Sequence, residues 1–215
     1  MCGDKTAWKT PRILGMLLAL LGWLGAIASC ALPPWRVSSP PPVSGAAPPL
    51  WEGLWMSCSS NGTSARRCLA YDSLLDLPQD LQAARALTLI AAGLGLLATL
   101  AGAAGAPCCR AGGDPRCRGN LSVSAGFAFL ACGLLMLLTA GWSTHAVRQD
   151  FSDPLVTLDA KRQPGASIFL AFAAGGAQLL GGLLLCFSWP REAELYPANF
   201  HNASSTARKS GRAAV

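Results

Sequence analysis

The sequence predicts a membrane protein, mainly α-helical, in which four helices cross the bilayer and the large outer loop is clipped into a hairpin by a disulfide. Three observations lead there. Four blocks, residues 13–32, 86–106, 121–141 and 166–187, each hold 20 to 22 residues without Asp, Glu, Lys, Arg or His. The net charge of +6 falls entirely on alternate connecting segments. Of nine cysteines, only Cys58 and Cys68 lie in the segments that charge places outside.

At 1.5 Å per residue each block spans roughly 30 Å, the hydrocarbon thickness of a bilayer. With no water in that layer, every backbone N–H and C=O needs an internal partner, so each block is predicted as a helix. Composition agrees: 52% of the 215 residues are apolar and 13% charged, against about 25% charged in an ordinary soluble domain. This excludes a disordered chain, a coiled coil and a conventional cytosolic enzyme.

Block 13–32 follows Lys5, Lys9 and Arg12, a pattern shared with signal peptides. Its length exceeds that of a typical signal h-region, which favours a retained helix. Blocks 86–106 and 166–187 are rich in Gly and Ala. Ala92-Gly93-Leu94-Gly95, Gly175-Gly176 and Gly181-Gly182 are the expected close helix–helix contacts, since small side chains let backbones approach. Gln178 is the one strongly polar side chain in a block and is expected to make an interhelical hydrogen bond.

Segments 1–12, 107–120 and 188–215 carry +2 each, whereas 33–85 and 142–165 are neutral. The positive-inside rule then puts both termini and the 107–120 loop in the cytoplasm and leaves 33–85 and 142–165 outside. The basic balance reports topology, and no nucleic-acid motif accompanies it.

Nine residues separate Cys58 from Cys68, with Asn61-Gly62 between them. Asn-Gly is a strong hairpin signal. A hairpin brings its flanks together, and an oxidising exterior favours the bond, so Cys58–Cys68 is predicted as a disulfide. Trp51 and Trp55 alternate with small or polar residues, as in a strand. Tyr71–Leu87 reads as helical, with Asp72-Ser73 capping a short helix and Pro78 breaking or restarting it. Cys108, Cys109 and Cys186 sit at cytoplasmic helix ends and are candidates for palmitoylation. Asn61-Gly62-Thr63 is a glycosylation sequon in the outer compartment. The only histidines, His145 and His201, fall in different compartments, so no nucleophile–base pair is formed. No enzyme activity, cofactor or metal site is expected.

Trp35-Arg36, then Gly53-Leu54-Trp55, then Cys58, Cys68 and Arg85 before the second block, form a signature that resembles the claudin family. Leu21-Gly22-Trp23, Tyr71-Asp72-Ser73, Leu77-Pro78-Gln79-Asp80-Leu81, Gln149-Asp150-Phe151 and Pro154-Leu155-Val156 also match, in order, over about residues 13–190. The resemblance implies a left-handed four-helix bundle beneath a small antiparallel extracellular β-sheet. It implies a non-enzymatic tight-junction protein at the plasma membrane. Such a protein associates with itself and other claudins, within one membrane and between cells, to control paracellular permeability.

By resemblance, Gly53, Leu54 and Trp55 belong to a strand near the outer leaflet. Leu74 is a knob that docks into a neighbouring protomer, and Phe151, Pro154 and Leu155 belong to the receiving and adhesive segment. Charge selectivity in the family depends on residues near the second cysteine. Here Leu69 is neutral and Arg66 and Arg67 precede Cys68. The pair leans towards a barrier or an anion preference, although a solvated pair on a hairpin explains it equally. Val215 suits a PDZ-domain scaffold, but Ala214 stands where the family commonly has Tyr.

Three further departures stand out. Five prolines lie between Trp35 and Trp51, so the first two strands are expected to be short. Ser152 replaces an aromatic residue beside Phe151. Thr139 replaces a helix-kinking proline, so the third helix is expected to extend outward toward Phe151. A claudin-like tetraspan without strand formation, acting as an auxiliary or signalling partner, is the alternative reading.

Overall fold

The computed structural model describes residues 9–38, 49–60, 66–73, 77–105, 115–152 and 162–188. Four helices, α1 (Lys9–Ala31), α2 (Gln79–Ala104), α3 (Pro115–Ser152) and α4 (Ala166–Phe187), are each long and apolar enough to cross a membrane. Five strands, β1 (Arg36–Ser38), β2 (Leu50–Glu52), β3 (Met56–Ser60), β4 (Arg66–Ala70) and β5 (Arg162–Pro164), form one sheet. Its order is β4-β3-β2-β1-β5, antiparallel throughout. The predicted fold class is therefore the observed one.

Glycines bring the helices together at a spacing of two turns. A Cβ on Gly15 or Gly181 would lie 3.0 or 2.7 Å from the other's carbonyl oxygen, and one on Gly22 would lie 2.8 Å from that of Ala174. Between α3 and α4, Gly126 meets Gly182 and Gly133 meets Gly175 just as closely. In all four rows the contacting positions are seven residues apart, the period of left-handed helix packing. Gly95 makes room for the indole of Trp23, whose Nε1 donates to the Ala92 carbonyl at 3.0 Å. Gly93 and Gly176, expected to be close contacts, instead face open space. They sit on other helix faces, which composition does not distinguish.

Gln178 corrects a second expectation. It is fully buried, and neither its Oε1 nor its Nε2 has a hydrogen-bond partner. The would-be Cβ of Gly22 lies 2.8 Å from its Cγ, so the side chain is wedged where α1 and α4 touch. A buried amide without partners costs free energy that an apolar isostere would not. Gln178→Met is thus expected to raise stability by about 1–3 kcal/mol, checked by thermal unfolding of the purified protein. A lowered midpoint would show that the amide has a partner after all.

Helix ends overrun the apolar blocks. α2 begins seven residues before Ala86, and α3 continues eleven residues past Gly141. Absence of charge reports compatibility with lipid, whereas a helix keeps forming in water while its backbone bonds continue. Thr139 is buried within α3 and donates to the Leu135 carbonyl at 2.8 Å. No ring interrupts the helix there, and it runs out to Ser152 as expected. At the start of α2, Pro78 is the N-cap and its carbonyl accepts from Leu81 and Gln82. Pro78 sets the beginning of α2, whereas residues 74–76, over which a short helix capped by Asp72-Ser73 would run, lie outside the described residues.

Candidate functional site: the sheet and its anchor on the bundle

The sheet sits where α1 ends and α2 and α4 begin, and its residues continue the bundle core. Trp35 and Leu54 are fully buried in one cluster with Ala26, Leu81, Met136 and Ile168. The Trp35 indole donates to the Ser29 carbonyl at 2.9 Å. Its backbone N–H donates to Glu52, and its carbonyl accepts from Gly165. One residue therefore joins α1, the sheet and the start of α4.

Gly53-Leu54-Trp55 is not a strand. It is the turn that reverses β2 into β3, closed by the Gly53 N–H donating to the Met56 carbonyl at 3.0 Å. Gly53 is required by a close approach: a Cβ there would lie 2.7 Å from Pro33 Cα and O. Leu54 points into the core and Trp55 stays partly exposed. Arg85, one turn and a half into α2, reaches back to this turn. Its Nε donates to the Leu54 carbonyl at 2.8 Å and its terminal nitrogen donates to the same oxygen. Its guanidinium carbon sits 4.4 Å from the Trp55 ring centroid. Four of the signature residues, Gly53, Leu54, Trp55 and Arg85, thus form one contact set that fixes the sheet to α2.

Tyr71 completes it, donating through its hydroxyl to the Gly53 carbonyl at 3.4 Å and through its N–H to that of Trp55. Burial, and then the nearby Glu52 carboxylate, push its phenol above the ordinary value, against the pull of Arg85, Arg162 and Arg36. The folded state thus favours the neutral phenol. Its contribution to stability is complete below the unfolded value of about 10 and is lost as pH rises through the higher folded value. Phenolate absorbance is expected to show a step above that value that disappears in Tyr71→Phe.

Cys58 and Cys68 face each other across β3 and β4, with Cα atoms 4.0 Å apart, and are joined by a disulfide. The pairing runs from Met56↔Ala70 to Ser60↔Arg66. β4 is one edge of the sheet and β5 the other. Arg67 and Leu69 are exposed on β4, Leu69 to 72%. The described parts of β1 and β2 have three residues each, and residues 39–48, which hold most of the prolines between them, lie outside the described residues. Pro49 takes part only as an acceptor, from Ser60.

Charged side chains bind the remaining edges. Arg36, 2% exposed, reaches Asp80 of α2 at 3.2 Å. Arg162 of β5 donates to Glu52 Oε1 of β2 at 3.2 Å, pairs with its Oε2 by charge at 3.1 Å, and lies 3.5 Å from Asp150 of α3. These pairs left no sequence signal, because the partners are 44 and 110 residues apart.

The proposed interaction residue Phe151 is exposed near the end of α3. Asn61, Leu74, Pro154, Leu155, Cys108, Cys109 and Val215 lie outside the described residues, and Arg66 is placed in β4 by its backbone. Cys186 is partly buried at the end of α4, beside Gly126.

Four membrane-crossing helices capped by a disulfide-clipped antiparallel sheet that is anchored to the bundle define a tetraspan membrane protein. The family model described as PMP-22/EMP/MP20/Claudin family matches residues 10–185. Claudin-4 of Bos taurus is 43% identical over 199 residues, covering 90% of this chain and 94% of its own. Claudin-6 of Homo sapiens is 43% identical, covering 91% and 89%, and Claudin-3 of Homo sapiens is 43% identical, covering 87% and 86%. The chain belongs to the claudin family.

Proposed function

We propose that this protein is a structural, non-enzymatic component of tight junctions, in the plasma membrane with both termini cytoplasmic. It associates laterally and across cells with itself and other claudins and so controls paracellular permeability. The observation that carries this reading is the anchor of Arg85 on the Leu54 carbonyl and Trp55 ring, joined to the Cys58–Cys68 clip. Together they hold the sheet as a fixed surface on the bundle, as a load between apposed membranes demands. Exposed Arg67 on β4, near a neutral Leu69, favours a barrier or an anion preference over a cation pore. At about 4 Å two unit charges interact by only about 1 kcal/mol in water and about 4 at an effective dielectric near 20, so the effect needs a narrow path.

The three-residue β1 and β2 favour a second reading, a family member that reaches the surface without forming strands. Expression in cells lacking tight-junction strands separates the two. Freeze-fracture strands with raised resistance, and NaCl dilution potentials favouring chloride, support the first. Surface delivery without strands supports the second. Dilution potentials unchanged in Arg66→Glu/Arg67→Glu would remove the charge assignment.

A further inference from the structure

We propose that Arg162 is a positioning residue that fastens the second outer segment to the first, and that its charge is spent internally and does not face the paracellular path. The inference rests on the junctional reading above for its consequence, but its geometry stands alone. Among the described residues β5 is a three-residue edge strand, paired with β1 through Arg36↔Pro164, Val37↔Gln163 and Ser38↔Arg162. Pro164 has no N–H to donate, and strands this short are marginal by backbone bonding alone. The Arg162 side chain compensates by reaching across β1 to β2.

One terminal nitrogen of Arg162 donates a charge-assisted hydrogen bond to Glu52 Oε1 at 3.2 Å, and Nε lies 3.1 Å from Oε2 as an ion pair whose geometry makes no hydrogen bond. The other terminal nitrogen lies 3.5 Å from Asp150, at the outer end of α3. The Glu52 side chain is only 15% exposed and that of Arg162 34%, so solvent screens this pair less than a surface pair. Three elements converge on one guanidinium: β2 from the first outer segment, α3 and β5 from either side of the second. Phe151 follows Asp150 directly, so Arg162 also sets where that exposed ring stands relative to the sheet. Two carboxylates neutralise Arg162, whereas exposed Arg67 has only Ser59 opposite it on β3.

The test is hydrogen exchange on the full chain in lipid nanodiscs, alongside resistance and dilution potentials of expressing monolayers. Arg162→Gln is expected to raise exchange at residues 36–38 and 162–165 at least about tenfold, the fold-change of a pair worth roughly 1.4 kcal/mol. β3–β4, held by the disulfide, is expected to stay unchanged, which shows that the variant is folded. Arg162→Lys, which keeps charge but whose single ammonium replaces a guanidinium shared between Glu52 and Asp150, is expected to fall between. Glu52→Gln/Arg162→Gln is expected to exchange no faster than Arg162→Gln. In monolayers Arg162→Gln lowers resistance but keeps the sign of the dilution potential. Unchanged exchange, additive effects in the double variant, or a reversed dilution potential would overturn the proposal. Because exchange is read on the isolated protein, a failure to form strands would defeat the junctional reading without touching this one.

Discussion

Arg85→Ala is expected to detach the sheet from the bundle and to destabilise the protein by about 2–4 kcal/mol. Two donated bonds to the Leu54 carbonyl are lost together with the stacking on Trp55. A charged donor contributes about 1.5–3 kcal/mol per bond, and a cation over an indole about 0.5–1 at a partly exposed site. The upper end of the simple sum is not reached, because both nitrogens share one acceptor oxygen. The acceptor matters more than the donor. Leu54 is fully buried in the turn, and its carbonyl would be left unpaired beneath the sheet. Arg85→Lys, with one compact ammonium, is expected to recover less than half of the loss. Thermal unfolding of the purified variants checks the magnitude. A change under about 0.5 kcal/mol, the range of an ordinary surface substitution, would show that the anchor is not one.

Gly165→Ala is expected to cost about 3 kcal/mol, at the top of the range for overpacking. A Cβ there would lie 1.9 Å from the Pro34 oxygen and 2.5 Å from its carbonyl carbon. These are backbone atoms, and they cannot move aside freely. The Pro34 carbonyl accepts from the Ser167 N–H at 3.1 Å, and the Gly165 N–H itself donates to Trp35. Relief would separate β1 from the first turn of α4. Gly93→Ala and Gly176→Ala are the matched controls, since nothing stands within 4 Å of either Cβ. Both lie inside helices, where Ala is favoured over Gly by about 0.8–1.0 kcal/mol, so they should hold or raise the midpoint. If Gly165→Ala melts with the controls, the approach of α4 to the Pro33–Trp35 segment is looser than these contacts require.

Both predictions concern places where the sheet meets the bundle, and here the reading of residues in order was least informative. The family resemblance implies a strand at Gly53-Leu54-Trp55. A glycine that admits Pro33 makes it a turn. Gln178 looked like half of a hydrogen bond, but which groups face it depends on how α1 rotates against α4. In each case the deciding partner comes from another element.

Local patterns carried the rest. Long uncharged runs become helices because lipid offers backbone groups no other partner. A Cys pair flanking Asn-Gly becomes a clipped hairpin because a two-strand reversal must bring its flanks together, and both features depend on neighbours within a few residues. Membrane spans, the disulfide and the signature were therefore legible in the chain itself. Only the tertiary structure decided that Arg85 grips Leu54, that Arg36 and Arg162 join strands to helices, and which glycines touch. Those contacts arise between residues far apart in the chain, and their energies depend on distances of a few ångströms that no local periodicity encodes.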